Sequence, residues 1–416
     1  MSQSSAVSPE LALGLPGFSY ADLHDPLRLR DLHGAFLREV EAADPELHRQ
    51  WEDFSRDPDR DRQATDASLL YVRMAPHVSR FVARLFGIDA GITAVAAATR
   101  DHDTLFRFKV EFVRRRVVPM LKGGVKHPAN ADDDAAVRAL VTAFFPSDEE
   151  MALARAGCML LDREIAAVKA NDEAAKAGAA AAIETLRRWC AARLHDTRYR
   201  DWVAFRVAEN IDHFKLVRVE HRDPAIPTAL TGPEDRLRRR DGFKLTDPRM
   251  SAREVLNEIH YCVLCHERDK DSCSKGLLDK TGAVVSNPLG IELEGCPLDE
   301  KISEMHMLRK HGDALGALAL VAVDNPMCPG TGHRICNDCM KACIFQKQEP
   351  VNIPQIESRI LTDVLRLPWG VEIYGLLTRW NPLNVRRPFA LPYNGKKVLV
   401  VGIGPAGYTL AHYLVN

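Results

Sequence analysis

The chain has 416 residues, with 56 basic side chains against 57 acidic ones and a formal net charge of −1. So even a balance gives no field that argues for nucleic acid or an anionic membrane as partner, and the length suffices for two or three domains with cores of their own. Met1 to Pro16 lacks the basic start and apolar run of a leader, and the longest apolar stretch, Leu315 to Val323, falls short of the roughly 20 residues of a membrane span.

Up to about Gly242 the sequence is rich in Ala, Leu, Arg, Glu and Asp, the composition of packed helices. Leu70, Met74, Val78, Phe81, Val82 and Leu85 recur at helical spacing, with Pro76 marking a kink or a helix start. Gly123, Gly124, Pro128 and the acidic run Asp132, Asp133, Asp134 predict a loop that caps the next helix. A second helical region runs from Asp148 through Ala174 to Ile183 and on to Trp189. This half offers no catalytic residue. Cys158 and Cys190 have no partner at metal spacing and read as packing thiols, and the basic runs Arg114 to Arg116 and Arg238 to Arg240 read as solvated helix faces.

From about Leu245 the texture changes. Eight of the ten cysteines fall in one stretch: Cys262, Cys265, Cys273, Cys296, Cys328, Cys336, Cys339 and Cys343. Eight thiolates are the number that two four-iron clusters need. Pairs with two intervening residues let neighbouring thiolates reach one cluster, while a distant cysteine followed by proline, as at Cys296-Pro297 and Cys328-Pro329, commonly reaches another. Soft thiolates equally suit tetrahedral zinc. Spacing alone therefore leaves two readings, a pair of [4Fe-4S] clusters or a zinc-stabilised helical interaction module with two four-cysteine sites. Cytoplasmic thiols stay reduced, so clustered cysteines point to metal rather than to disulfides.

The ordered motifs between Cys262 and Glu357 resemble a known family. Cys296-Pro297 is followed by Gly312-Asp313 and then by Asn325-Pro326. Next come His333-Arg334-Ile335-Cys336 leading to Cys339 and Cys343, and Pro350-Val351-Asn352-Ile353 closing at Glu357. This succession resembles the α-helical ferredoxin domain at the front of the glutamate synthase small subunit and of dihydropyrimidine dehydrogenase. The resemblance implies one [4Fe-4S] cluster on Cys262, Cys265, Cys273 and Cys343. It implies a second on Cys296, Cys336 and Cys339, with either Cys328 or the carboxylate of Glu357 as last ligand. The sequence departs from the family in its long gaps from Cys265 to Cys273 and from Cys273 to Cys296, so the insertion Ser274 to Gly295 is free to cover the first cluster or present it to another donor. Of the nearby histidines (His260, His266, His306, His311, His333) none is needed as a ligand. Arg334 and Lys341 are expected to offset cluster charge.

After Asp363 a linker rich in proline and tryptophan leads to Val398-Leu-Val-Val401 and then Gly402-Ile-Gly404-Pro405-Ala406-Gly407. Strand, glycine turn and helix in this order make a dinucleotide fingerprint: Gly402 for the tight turn, Gly404 for approach to a pyrophosphate, Gly407 for helix packing. Its form resembles the FAD site of the same family. The expected architecture is mainly α, with a helical domain of unknown role at 1–244 and an α-helical ferredoxin-like domain at 245–367. A linker at 368–395 and the first β-α unit of an incomplete Rossmann-type FAD/NAD(P) fold at 396–416 complete it. The expected function is that of the electron-transfer portion of an FAD- and NAD(P)H-dependent oxidoreductase. Its partners would be a downstream flavin domain of the same polypeptide and a second redox subunit, within a homo- or hetero-oligomer.

Overall fold

The computed structural model describes residues 13–416 other than 61–62, 218, 235–236, 238–241, 244–247 and 266–269. The readings made of Arg238 to Arg240, of His266 and of the boundary at Leu245 lie outside the described residues, as does the side chain of Arg334.

The protein is mainly α. Helices α1 (Pro26–Ala43), α2 (Pro45–Arg56) and α3 (Ala64–Phe86) come first, then α4 (Asp89–Arg100) and α5 (Asp103–Arg107). The chain continues as a π-helix (Phe108–Val117) and a 3-10 segment (Val118–Gly124) into α6 (Ala131–Thr142), α7 (Glu149–Ala170) and α8 (Glu173–Arg193). Strands β1 (Glu220–His221) and β2 (Leu230–Thr231) pair antiparallel, Glu220 opposite Thr231. The remaining helices are α9 (Ala252–Tyr261), α10 (Ser272–Lys275), α11 (Ile302–Lys310), α12 (Ala314–Asp324), α13 (Cys328–Ile335), α14 (Asp338–Ala342), α15 (Ile353–Leu365), α16 (Gly370–Leu377) and α17 (Pro405–Val415). None among the described residues is long and apolar enough to cross a membrane.

Local chemistry sets many of these boundaries. The side chains of Asp25, Asp44, Asn130, Asp148 and Asp172 each accept a backbone N–H at the start of α1, α2, α6, α7 and α8. Pro26 and Pro45 occupy first-turn positions where no N–H is missed. Asn171, at φ 52°, ends α7 and Asp172 caps α8, so the helical region expected from Asp148 to Trp189 is two helices. Helix α3 runs on through Pro76, which is therefore not a helix start. Met74, Ala75, Val78 and Ser79 around it are all buried, and packing outweighs the backbone bond that proline forfeits.

The chain divides into two compact units, one made of residues up to Ala96 together with Glu209–Asn416, the other of Ala97–Ala208. In the first unit α12 is buried on every face from Ala314 to Ala322, as an uninterrupted apolar helix must be. Trp380, 0% exposed, packs between Phe36 and Phe81. Val398 to Val401, expected as a strand, pairs with no neighbour among the described residues, and a strand exists only by its ladder. In the second unit Phe108, Phe112, Leu160, Leu161 and Leu186 build the core, which also takes in Cys158 and Cys190. Phe108 stacks on Phe112 at 5.2 Å and lies where a side chain at position 157 would stand, which requires Gly157 there.

Candidate metal centre

Helix α9 delivers the first thiol as its C-cap: Cys262 ends the helix with its N–H still bonded to the Glu258 carbonyl. Leu264, at φ 49°, turns the chain back so that its own N–H donates to the Cys262 sulfur at 3.4 Å. A left-handed leucine is a strained residue, and strain of this kind collects where a side-chain constellation must be held. Cys265 follows and is buried.

Cys273 sits in α10, and Cys296 is tied to it by a 2.8 Å backbone bond from the Cys296 N–H to the Cys273 carbonyl. Between them the insertion is closed at its base by two glycines. Gly276 (φ 94°) and Gly295 (φ 89°) approach so closely that a Cβ on Gly295 would stand 2.5 Å from the Gly276 nitrogen. Beyond this neck the segment folds as two successive turns eight residues apart. Asp279 accepts the N–H groups of Thr281 and Ala283, and Asn287 those of Leu289 and Ile291. Leu277, Val285 and Leu293 then hydrogen-bond to one another through their backbones. The insertion is thus a self-contained lobe whose neck brings Cys273 and Cys296 together.

The thiols gather in two groups. Cys262 has Cys343 and Cys265 close enough to oppose its ionisation, and Cys273 is opposed in the same way by Cys262 and Cys343. Cys343, late in the chain, therefore joins the early cysteines. Cys339 has Glu357, Glu300, Cys296 and Cys336 about it, and Cys336 has Glu300 and Asp338. Cys328 is surrounded differently: burial raises it, and the charges acting on it are those of Glu357 and Glu300. Cys339 also acts on Cys273, so the two groups adjoin. Among the described residues no three or more His, Cys, Asp or Glu close tightly enough to grip a single metal ion.

Burial pushes the thiols of Cys273, Cys328, Cys336, Cys339 and Cys343 up, and those of Cys262 and Cys296 to about 12. Backbone amides pull the other way: the N–H of Leu264 on Cys262, of Leu298 and Glu300 on Cys296, of Asp338 on Cys336, and of Phe345 and Val351 on Cys343. Four sulfurs thus each receive the N–H two residues onward, an arrangement that favours thiolate. Cys336 is the one exposed cysteine, so the second group has an edge on solvent.

The motif residues around the thiols have physical tasks. Asn352 caps α15 and its N–H donates to the buried Glu258 at 2.9 Å, fixing the stretch that aims the Val351 amide at Cys343. Asp313 caps α12 by accepting the Gly316 N–H and also accepts the Ser79 hydroxyl. Asn325, the C-cap of α12, donates to Glu357 at 3.4 Å. Glu357 itself is 5% exposed on α15, beside a second carboxyl, Glu300, that the sequence reading did not single out. The two share a hydrogen bond. Burial and the charge of Glu357 push Glu300 well up. Burial also raises Glu357, while the bonds from Glu300 and Asn325 pull it back.

Lys341 spends its charge locally, 2.6 Å from Asp338, whose carboxylate also accepts the Cys336 thiol at 3.5 Å. His311 bonds the Met307 carbonyl of its own helix and His333 bonds Ser358. His306 is wholly buried in α11, and burial pulls it down to about 3, so its ring is neutral.

At the far end of the chain Gly402 has φ 100°, and a Cβ on Gly407 would strike the Gly402 carbonyl at 2.1 Å. Nothing stands within 4 Å of a Cβ on Gly404, the N-cap of α17, and Pro405 and Ala406 open the helix. The turn therefore needs glycine at 402 and 407 for its own geometry, and leaves 404 open.

A family model described as the RP005 N-terminal alpha-helical domain matches residues 13–87, the span of α1 to α3. Over 90 residues the chain is 61% identical to Uncharacterized protein RP006 of Rickettsia prowazekii (strain Madrid E), a match covering 22% of this chain and 13% of that protein. Over 293 residues it is 27% identical to Uncharacterized protein RP005 of the same organism, covering 68% of this chain and 93% of that protein. The chain thus spans a small part of the first relative and nearly all of the second. No solved structure matches.

Proposed function

We propose that this chain carries two [4Fe-4S] clusters and serves as the electron-transfer portion of an FAD- and NAD(P)H-dependent oxidoreductase. What supports this reading is the company the thiols keep: Cys343 lies near Cys262 and Cys273, and Cys296 and Cys336 lie near Cys339. A chain-order pairing of two compact zinc knuckles would have kept Cys343 with Cys339.

The donors fit the clusters chemically. The first group offers four thiols; the second offers three and the carboxylate of Glu357, which has Cys336 and Cys339 as neighbours, whereas Cys328 has the carboxyls alone. Glu357 is therefore the better last ligand. Bound iron-sulfur clusters supply one-electron redox chemistry, and a flavin links it to hydride transfer. The protein's own part is to hold sulfur and set its charge. The amides of Leu264, Leu298, Asp338 and Phe345 stabilise thiolate, burial of both groups keeps water away, and the exposed Cys336 offers an edge for electrons to leave or enter.

The turn at Gly402, Gly404 and Gly407 before α17 supports a dinucleotide site of the Rossmann type, with the open backbone at Gly404 facing a pyrophosphate. On this reading a flavin domain and a second redox subunit are the partners, and the setting is cytoplasmic, where ten cysteines without a disulfide persist.

The test is anaerobic reconstitution of the full chain with ferrous salt and sulfide. Iron and sulfide retained in equal amounts after desalting, with a reduced-state EPR signal, support the proposal. A colourless protein that retains stoichiometric zinc and no iron overturns it in favour of a structural zinc module.

A further inference from the structure

We propose that the cavity walled by α6, α7, α8 and the 197–205 segment binds a small zwitterionic molecule with an apolar, ring-sized body, the class to which aromatic α-amino acids belong. The cavity measures 580 Å³, within the roughly 300–1,000 Å³ of small-molecule sites. Every residue that lines it belongs to the second unit, so the inference stands apart from the clusters proposed above. Its floor is apolar and buried, made of Val137, Leu153 and the indole of Trp189. Its wall is aromatic: Tyr199 stands edge-on to Trp189 at 5.9 Å and to Trp202 at 4.8 Å, ring centre to ring centre. A ring entering there gains stacked or edge-on contacts beyond the area it buries. The rim carries opposite charges, Arg138 on α6 and Glu149 at the first position of α7, both exposed.

The wall is fixed in advance. Lys109, 9% exposed on the π-helix, donates to the Val203 carbonyl at 2.6 Å, and Glu150, 4% exposed on α7, accepts the Ala204 N–H at 2.7 Å. Charged side chains are rarely buried, and here two of them pin the backbone next to Trp202. Trp202 also stacks on Phe205 at 5.6 Å. Across the floor the Trp189 indole N–H donates to Oδ1 of Asp134 at 2.9 Å, which fastens α8 to α6. A site held this way gives up little ordering entropy on binding. The charges then decide the class of guest. Asp134 lines the cavity too, but its carboxylate is matched by the buried Arg193, whose guanidinium lies 4.2 Å over the Trp189 ring. Arg138 and Glu149 remain, and their side chains pair neither with each other nor with any other side chain among the described residues. A purely apolar guest would use neither charge, and a simple cation or anion only one. A carboxylate and an ammonium on one apolar body would meet the guanidinium, the Glu149 carboxylate and the rings together.

The experiment is calorimetric titration of the full chain with three probes that share a phenyl ring. L-phenylalanine carries both charges, phenethylamine the ammonium alone and 3-phenylpropionate the carboxylate alone. L-phenylalanine should bind most tightly. Arg138→Gln removes one charge-assisted hydrogen bond and should weaken L-phenylalanine and 3-phenylpropionate about tenfold while leaving phenethylamine unchanged. Glu149→Gln should weaken L-phenylalanine and phenethylamine about tenfold and leave 3-phenylpropionate unchanged. Both positions are exposed, so these variants should keep the circular dichroism of wild type. Thr142→Trp, which sets a ring at an exposed position of the lining, should abolish binding of all three probes. The inference is overturned if no probe binds at millimolar concentration, or if a probe with one charge binds as tightly as L-phenylalanine. It is equally overturned if L-phenylalanine binding ignores both Arg138→Gln and Glu149→Gln, or if it survives Thr142→Trp, which would place the ligand elsewhere.

Discussion

The helix that bears Glu357 is anchored by a buried ion pair, and breaking it offers a quantitative test of how the site is held. Arg309 on α11 donates to Asp363 on α15 at 2.8 Å, with side chains 2% and 5% exposed. Arg359 reaches the other oxygen of Asp363 at 2.7 Å and is 14% exposed. Burial pulls the Arg309 guanidinium down and Asp363 opposes that. In Asp363→Leu the Arg309 charge stays buried with its carboxylate gone, at a cost of about 3 to 5 kcal/mol. Arg359, nearer to water, adds little. Opening of α15 should then become about two to four orders of magnitude more frequent, at 1.36 kcal/mol per factor of ten. The double variant Arg309→Met, Asp363→Leu removes both charges and should lie within about 1 kcal/mol of wild type. Hydrogen exchange of peptides within 353–365 reads the local opening directly, without assuming that the two units unfold together. Exchange in Asp363→Leu within tenfold of wild type, or a double variant as damaged as the sum of the singles, would refute the reasoning.

Other outcomes follow from single features. His306 is depressed to about 3 from 6.5. Since the folded value is the lower one, the contribution of the neutral ring is complete above about pH 6.5 and is lost as pH falls towards 3. Urea midpoints should reveal a loss of about 2 kcal/mol from pH 7.5 to pH 5, and His306→Met should flatten that slope. Gly407→Ala, whose Cβ meets the Gly402 carbonyl at 2.1 Å, should abolish exchange protection at the start of α17, whereas Gly404→Ala, with nothing within 4 Å, should leave it intact. Cys190→Ser, at a fully buried position in the second unit, should cost about 1 to 3 kcal/mol in chemical denaturation and leave iron content unchanged.

Much of the site was legible because thiols at short spacing have few structural uses. The eight cysteines stand out as letters, whereas the crossover of Cys343 is what the resemblance implies and spacing alone does not dictate. Glu300 was invisible for a physical reason: its burial depends on α15, whose Glu357 lies far along the chain, and nothing local marks a loop glutamate as dry. The lobe between Cys273 and Cys296 did leave a signal. Asp279-x-x-Gly282 and Asn287-x-x-Gly290 repeat the same turn chemistry eight residues apart, with glycine at positive φ both times. For the fold, the helical periodicity from Leu70 to Leu85 holds in α3, where tertiary packing carries the helix past Pro76. The strand expected at Val398 failed for want of a partner, because a ladder is made by pairs and not by propensity.

The glycine neck at Gly276 and Gly295 has a practical consequence. Because the lobe is tied off by backbone contacts at its base and turns on its own side chains beyond, its outer loops bear no strain from the cysteines. A short tag or a fluorophore-bearing peptide grafted between Asp279 and Gly282, or between Asn287 and Gly290, would ride on the surface a fixed distance from Cys273 and Cys296. The molecule thus carries a natural mounting point from which changes around these two cysteines could be watched.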